Sequence, residues 1–179
     1  MSGSWPRRFA AVLAAASASA WLVAGAGAAP RNPAASLSPL ERGVYADINA
    51  LRASHALPTL RLSKSLTDAA RSHSQEMETD GYFAHDSHDG TLFWKRIEGF
   101  YSSSSYGFWS VGENLLWSSP DIDARHALTM WLESPEHRKN MLDPSWREIG
   151  VSAVHESHAP GIFDGRGVTI VTTDFGVRR

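Results

Sequence analysis

The chain of 179 residues contains no cysteine. That absence removes thiol nucleophiles, disulfides, Cys-ligated zinc and iron–sulfur clusters together, so any chemistry must come from His, Asp, Glu, Ser, Lys or Tyr. A basic excess is also missing: 17 Lys+Arg stand against 19 Asp+Glu, a formal net charge of -2. Without the positive charge that drives phosphate-backbone binding, nucleic acid is not an expected partner. Several sharp catalytic patterns are absent as well, among them the H-E-x-x-H zincin helix, the G-x-S-x-G elbow, the P-loop and the G-x-G-x-x-G turn. Gly107 to Gly112 approaches the serine elbow only loosely because its spacing is wrong, and Ser110 reads as structural. Long runs of large apolar residues are lacking too. Of the 21 residues from Phe9 to Ala29 only six are large and apolar, and no cysteine follows them to carry a lipid anchor.

What that first segment does have is an export layout. Arg7 and Arg8 precede an alanine-rich uncharged stretch that ends in small residues, with Ala26-Gly27-Ala28 and Gly27-Ala28-Ala29 both offering a cleavage site. Residues 1–29 are therefore expected to be a signal peptide, which places the mature chain outside the cytoplasm with no stable membrane span. Its removal takes away two arginines and no acid, leaving 15 basic and 19 acidic residues. Residues 30–39 are small, polar and proline-bearing and read as a linker. Residues 40–179 then form one domain of ordinary size, with 42% hydrophobic and 20% charged residues in the whole chain, enough for a packed core.

Within the domain, Leu40, Val44, Ile48 and Leu51 recur at helical spacing behind the Ser38-Pro39 start signal. Leu57-Pro58 breaks this helix, Leu60 to Leu62 is a short extended step, and Ser63 caps a second helix that Gly81 ends. A polar loop to Gly90 leads to a short helix predicted over Thr91 to Glu98. Val111 to Trp117 reads as a strand, Asp121 as the cap of a further helix, and Ser134-Pro135 as the restart of a helical segment to Met141. Two β-branched runs, Glu148 to Val154 and Val168 to Phe175, read as antiparallel strands. Helices first and strands last imply an α+β fold.

Eight histidines are present. His73 lies on an apolar helix stripe and reads as a hydrogen-bonded core residue. His126 reads as a surface residue, and His155 and His158 flank Glu156 in what reads as a solvated loop rather than a metal site. His85 differs because Tyr82-Phe83-Ala84 can hold it over a partly buried floor, whereas His88 sits among loop acids. Glu113 begins an apolar strand after several aromatics, where a carboxylate needs a partner. His137 falls in the first turn of a helix, whose uncapped N–H donors favour the neutral, metal-binding imidazole. Chemistry alone does not join these three residues.

Taken in order, however, the segments resemble the CAP superfamily (cysteine-rich secretory proteins, antigens and pathogenesis-related proteins, whose shared unit is the SCP domain), and more closely its secreted bacterial branch. The residues that carry the resemblance are Ile48-Asn49-Ala50-Leu51-Arg52, Phe83-Ala84-His85, Gly112-Glu113-Asn114, Trp131 with Ser134-Pro135-Glu136-His137-Arg138, Glu148-Ile149-Gly150-Val151 and Thr173-Asp174-Phe175-Gly176. The resemblance implies a three-layer α-β-α sandwich with a central antiparallel sheet, and a cleft of two histidines and two acids that binds a divalent cation in some members. His85, Glu113 and His137 match three of those positions and are the expected ligands, with Zn²⁺ the expected metal. The fourth position is Ser134 where eukaryotic members carry glutamate, and the adjacent Glu133 and Glu136 would point in other directions from a helix. The expected function is a secreted binding or interaction module for an extracellular lipid, glycan, peptide or protein. The alternative is a metal-dependent extracellular hydrolase or peptidase.

Overall fold

The computed structural model describes residues 37–179, so the export signal and most of the linker lie outside the described residues. Five helices and four strands follow in order: α1 (Pro39–Ser54), β1 (Arg61–Leu62), α2 (Lys64–Asp80), α3 (Phe93–Phe100), β2 (Trp109–Ser118), α4 (Ala124–Glu133), α5 (Pro135–Met141), β3 (Glu148–Glu156) and β4 (Val168–Arg178). The fold is α+β.

Local chemistry sets the boundaries. Ser38 and Glu41 form a capping box that starts α1, each side chain accepting from the other's backbone N–H. Ser63 caps α2, and Gly81 ends it in the left-handed region at φ 67°, where a side chain would be strained. Two helices start two residues later than the sequence suggests. Asp89 accepts from Thr91 N at 2.8 Å in a turn of its own, and Asp86 supplies the carboxylate for Phe93 N at 3.0 Å, so α3 begins at Phe93 rather than Thr91. For α4 it is Asp123, not Asp121, whose side chain accepts from the helix, at His126 N.

The sheet order is β1-β3-β4-β2. The three long strands pair antiparallel as expected, while β1 adds a two-residue parallel rung to β3, making the sheet mixed. On one face α1, α4 and α5 bury Val44, Ile48, Ala127, Trp131 and Met141 against Ile149, Val151 and Phe175. On the other, α2 and α3 bury Leu66, Ala69, Met77, Ile97 and Tyr101. Helices on both sides explain why β4 is buried from Val168 to Val177 without polar alternation. Gly150 allows the closest approach: a Cβ there would lie 2.1 Å from the Leu66 carbonyl carbon and 2.2 Å from Thr67 N, so the first turn of α2 rests directly on β3.

Among the described residues, strand β2 is the long outer strand of the sheet. Phe108 and Arg179 exchange both backbone hydrogen bonds just beyond it, which turns the even-numbered residues of β2 toward β4 and the odd-numbered ones outward. Two outward carbonyls are taken by side chains: Trp131 Nε1 donates to Leu115 O at 3.0 Å, and Asn140 Nδ2 donates to Glu113 O at 3.2 Å. Among the described residues no helix is long and apolar enough to cross a membrane.

Candidate functional site

A cleft of about 330 Å³ lies along this edge, where the two helical layers meet. His85, in the loop after α2, and Phe93, at the start of α3, form one wall; Glu136, His137 and Asn140 of α5 form the other; Glu113 of β2 is in the floor. The structure thus brings His85, Glu113 and His137 to one cavity, although 28 and 24 residues separate them in sequence. His88 is exposed outside it, with Nδ1 4.0 Å from Asp80. His155 faces Thr169 Oγ1 at 3.0 Å and Asp121 at 3.5 Å, and His158 faces Ser157 Oγ at 3.0 Å, so neither joins the other around Glu156. His73 is buried, and its Nε2 donates to Ala84 O at 2.9 Å; burial pushes its pKa down, which favours the neutral ring.

Each wall of the cleft is clamped from behind. Arg96, buried on α3, donates from Nη1 to the main-chain carbonyl of His85 at 2.8 Å and from Nη2 to Glu113 Oε2. The other oxygen of Glu113 accepts from His85 Nδ1 at 2.8 Å. On the opposite side Asn114 Nδ2 donates to the carbonyl of His137 at 3.1 Å, and Asn140 Nδ2 donates to Asn114 Oδ1 at 2.9 Å. Trp146 Nε1 in turn donates to Asn140 O at 2.9 Å. The His137 pKa is lowered by burial first and by the nearby His85 second, against an opposing pull from Glu136. Its ring is therefore neutral at neutral pH.

The side chain of Glu113, the expected acidic ligand, is fully buried, with one oxygen on His85 and the other on Arg96. Among the described residues no group of three or more His, Asp or Glu side chains is arranged to hold a metal ion. Glu136, expected to point elsewhere, lines the cleft. The chain leaves helical geometry at Ser134, where φ is -92° and ψ 117°, so the phase of α4 does not carry into α5. Arg96, Asn140 and Asp174 were not read from the sequence as parts of the site. Asp174 lies directly across from Glu113 on β4, fully buried, with neither carboxyl oxygen hydrogen-bonded among the described residues. Burial, then the charge of Glu113, push its pKa well above the ordinary aspartate range, against the opposing pull of Arg96.

The model of the cysteine-rich secretory protein family, CAP, matches residues 45–173. The chain belongs to the CAP family. Its CAP domain is 31% identical over 119 residues to YkwD, an uncharacterized protein of Bacillus subtilis, covering 66% of this chain and 44% of that one. It is 29% identical over 103 residues to YlbC, an uncharacterized membrane protein of the same organism, covering 58% and 28%. The chain spans less than half the length of these relatives. Among solved structures, an extracellular protein containing a SCP domain from Bacillus anthracis superposes with a TM-score of 0.59 at 26% identity, covering 80% of this chain and 44% of that one. An outer surface protein of Borrelia burgdorferi shares the fold at a TM-score of 0.60 and 20% identity, covering 76% of this chain and 90% of that one.

Proposed function

We propose that the protein is an extracytoplasmic binding module whose CAP cleft takes a divalent metal ion, Zn²⁺ foremost, through His85 and His137, together with a small lipid, glycan or peptide ligand. The observation that carries this reading is that two histidines from different helical layers line one cavity with their backbones held by buried side chains. Glu113 fixes His85 with the proton on Nδ1, which leaves Nε2 with the ring's lone pair, and His137 is neutral; both rings therefore have the donor chemistry that zinc requires. Glu136 also lines the cleft, whereas both oxygens of Glu113 are engaged by His85 and Arg96. A bound metal would supply Lewis-acid polarisation of a ligand oxygen. The extracellular and outer-surface proteins with this fold support a place outside the cytoplasm, as does the amino-terminal export layout.

The alternative, a metal-dependent hydrolase or peptidase, needs a carboxylate free to act as base, and Glu136 is the candidate. Two measurements decide. Calorimetric titration should show Zn²⁺ uptake by the wild type and its loss in a folded His85→Ala/His137→Ala double variant; equal uptake by both would remove the site. Turnover of casein or a cell-wall peptide that chelation abolishes would put the hydrolase first.

A further inference from the structure

Of the buried charged groups around the cleft, Arg96 is the one whose contacts reach both its histidine wall and its floor. It is buried on α3, yet one guanidinium holds the carbonyl of His85 with Nη1 and the carboxylate of Glu113 with Nη2. Nη1 also lies 3.4 Å from Ser87 Oγ, two residues beyond His85. The loop is returned to the same helix by Asp86, whose carboxylate accepts from Phe93 N at 3.0 Å. Behind it, His73 Nε2 donates to Ala84 O, so the carbonyls of two successive residues, Ala84 and His85, are each held by a buried side chain.

An ionised carboxylate offers both oxygens only as acceptors, and a guanidinium on one of them favours that form. At Glu113 the other oxygen is 2.8 Å from His85 Nδ1, which must then carry the proton. We propose that Arg96 is the positioning residue of the cleft: gripping the His85 carbonyl and the Glu113 carboxylate together, it fixes the His85 ring in the Nδ1–H form and withholds Glu113 from coordination. Arginine suits this role because its planar fork spans two acceptors in a fixed geometry, whereas a lysine ammonium is a point charge on a flexible stem.

The first readout needs no ligand. Two-bond ¹H–¹⁵N correlation at about pH 8, well above the ordinary imidazole pKa of about 6.5, should show His85 as a single Nδ1–H tautomer in the wild type, its signals assigned by their loss in His85→Asn. In Arg96→Met, checked for folding by circular dichroism, the tautomers should mix. Titration with Zn²⁺ alone should then show affinity lower by about ten- to a hundredfold, the usual effect of removing a group that orients a ligand. Arg96→Lys should recover only part of either effect. An Nε2–H tautomer in the wild type, an unchanged tautomer in folded Arg96→Met, or full rescue by lysine would each overturn the inference. If Arg96→Met does not fold, the wild-type arginine decides: a guanidinium held at both ends gives resolved Nη signals, and averaged ones would refute the grip. The metal arm rests on the function proposed above, but a wild type that takes up no Zn²⁺ while showing both the tautomer and its loss upholds the role of Arg96 and removes only the metal.

Discussion

Replacing Trp131 separates two contributions that a single side chain makes to the sandwich. Its indole is 1% exposed and packs among Val44, Ile48, Leu116 and Ala127, joining α4 to α1 and the sheet. Truncation of a buried tryptophan to alanine costs about 3–5 kcal/mol. Its Nε1 also satisfies the outward carbonyl of Leu115 at 3.0 Å, and leaving a buried acceptor without a partner costs about 1–3 kcal/mol. Trp131→Phe keeps much of the packing and loses the donor, so it should destabilise by at least about 1–3 kcal/mol, and Trp131→Ala by clearly more. Against a total stability of about 5–15 kcal/mol, the alanine variant leaves a marginal domain. Urea unfolding followed by far-ultraviolet circular dichroism measures both, provided the slopes match. A Trp131→Ala midpoint equal to wild type would refute the packing argument, and a Trp131→Phe midpoint equal to wild type would refute the hydrogen-bond argument alone.

Asp174 gives a second prediction with a definite sign. Because its folded pKa is raised, its contribution is complete below the unfolded value of about 3.9 and is lost as pH rises through the folded value; Asp174→Asn should therefore gain stability relative to wild type between pH ~4 and ~7. Thermal melts at the two pH values test this, and a constant difference between the proteins would contradict it. Zn²⁺ affinity should fall on acidification, with His137 protonating below about pH 6.5 because its pKa is lowered; a titration series showing no pH dependence would count against imidazole ligands. His55→Ala, whose ring sits at the exposed end of α1, should bind as the wild type does. Gly150→Ala places a methyl carbon 2.1 Å from α2 backbone, so it should destabilise by at least about 1–3 kcal/mol; a soluble variant with a wild-type melting temperature would show that α2 moves aside freely.

The elements were legible where their signals are local. Ser63 and Gly81 bracket α2 because a hydroxyl cap and a left-handed residue act within one turn, and the late strands were plain from their β-branched runs. The start of α4 was not, because Asp121 and Asp123 are equally good caps in sequence and only the folded chain shows which one reaches the helix. At the site, the order of motifs pointed to His85, Glu113 and His137, but not to what holds them. Arg96 falls on the inward face of a short helix, where periodicity alone cannot distinguish a long solvated side chain from one reaching 17 residues onward to Glu113. The direction of Glu136 depends on the break at Ser134, where the backbone turns extended before Pro135 begins α5, and helical spacing does not give the angle across such a break. The signal for Asp174 was present, an acid inside an apolar strand, yet its partner is set by strand register and not by neighbours in sequence.

The occupied edge of β2 also bears on how copies of this protein meet. An added strand needs a continuous row of free backbone groups, and at Glu113 and Leu115 two successive outward positions have already been claimed by Asn140 and Trp131. The opposite edge, β1, is only two residues long. An added strand on the β2 side would therefore have to do without the two acceptors at Glu113 and Leu115. A substitution at Trp131 or Asn140 would do more than loosen the packing: it would return one backbone acceptor of this edge to solvent beside the cleft.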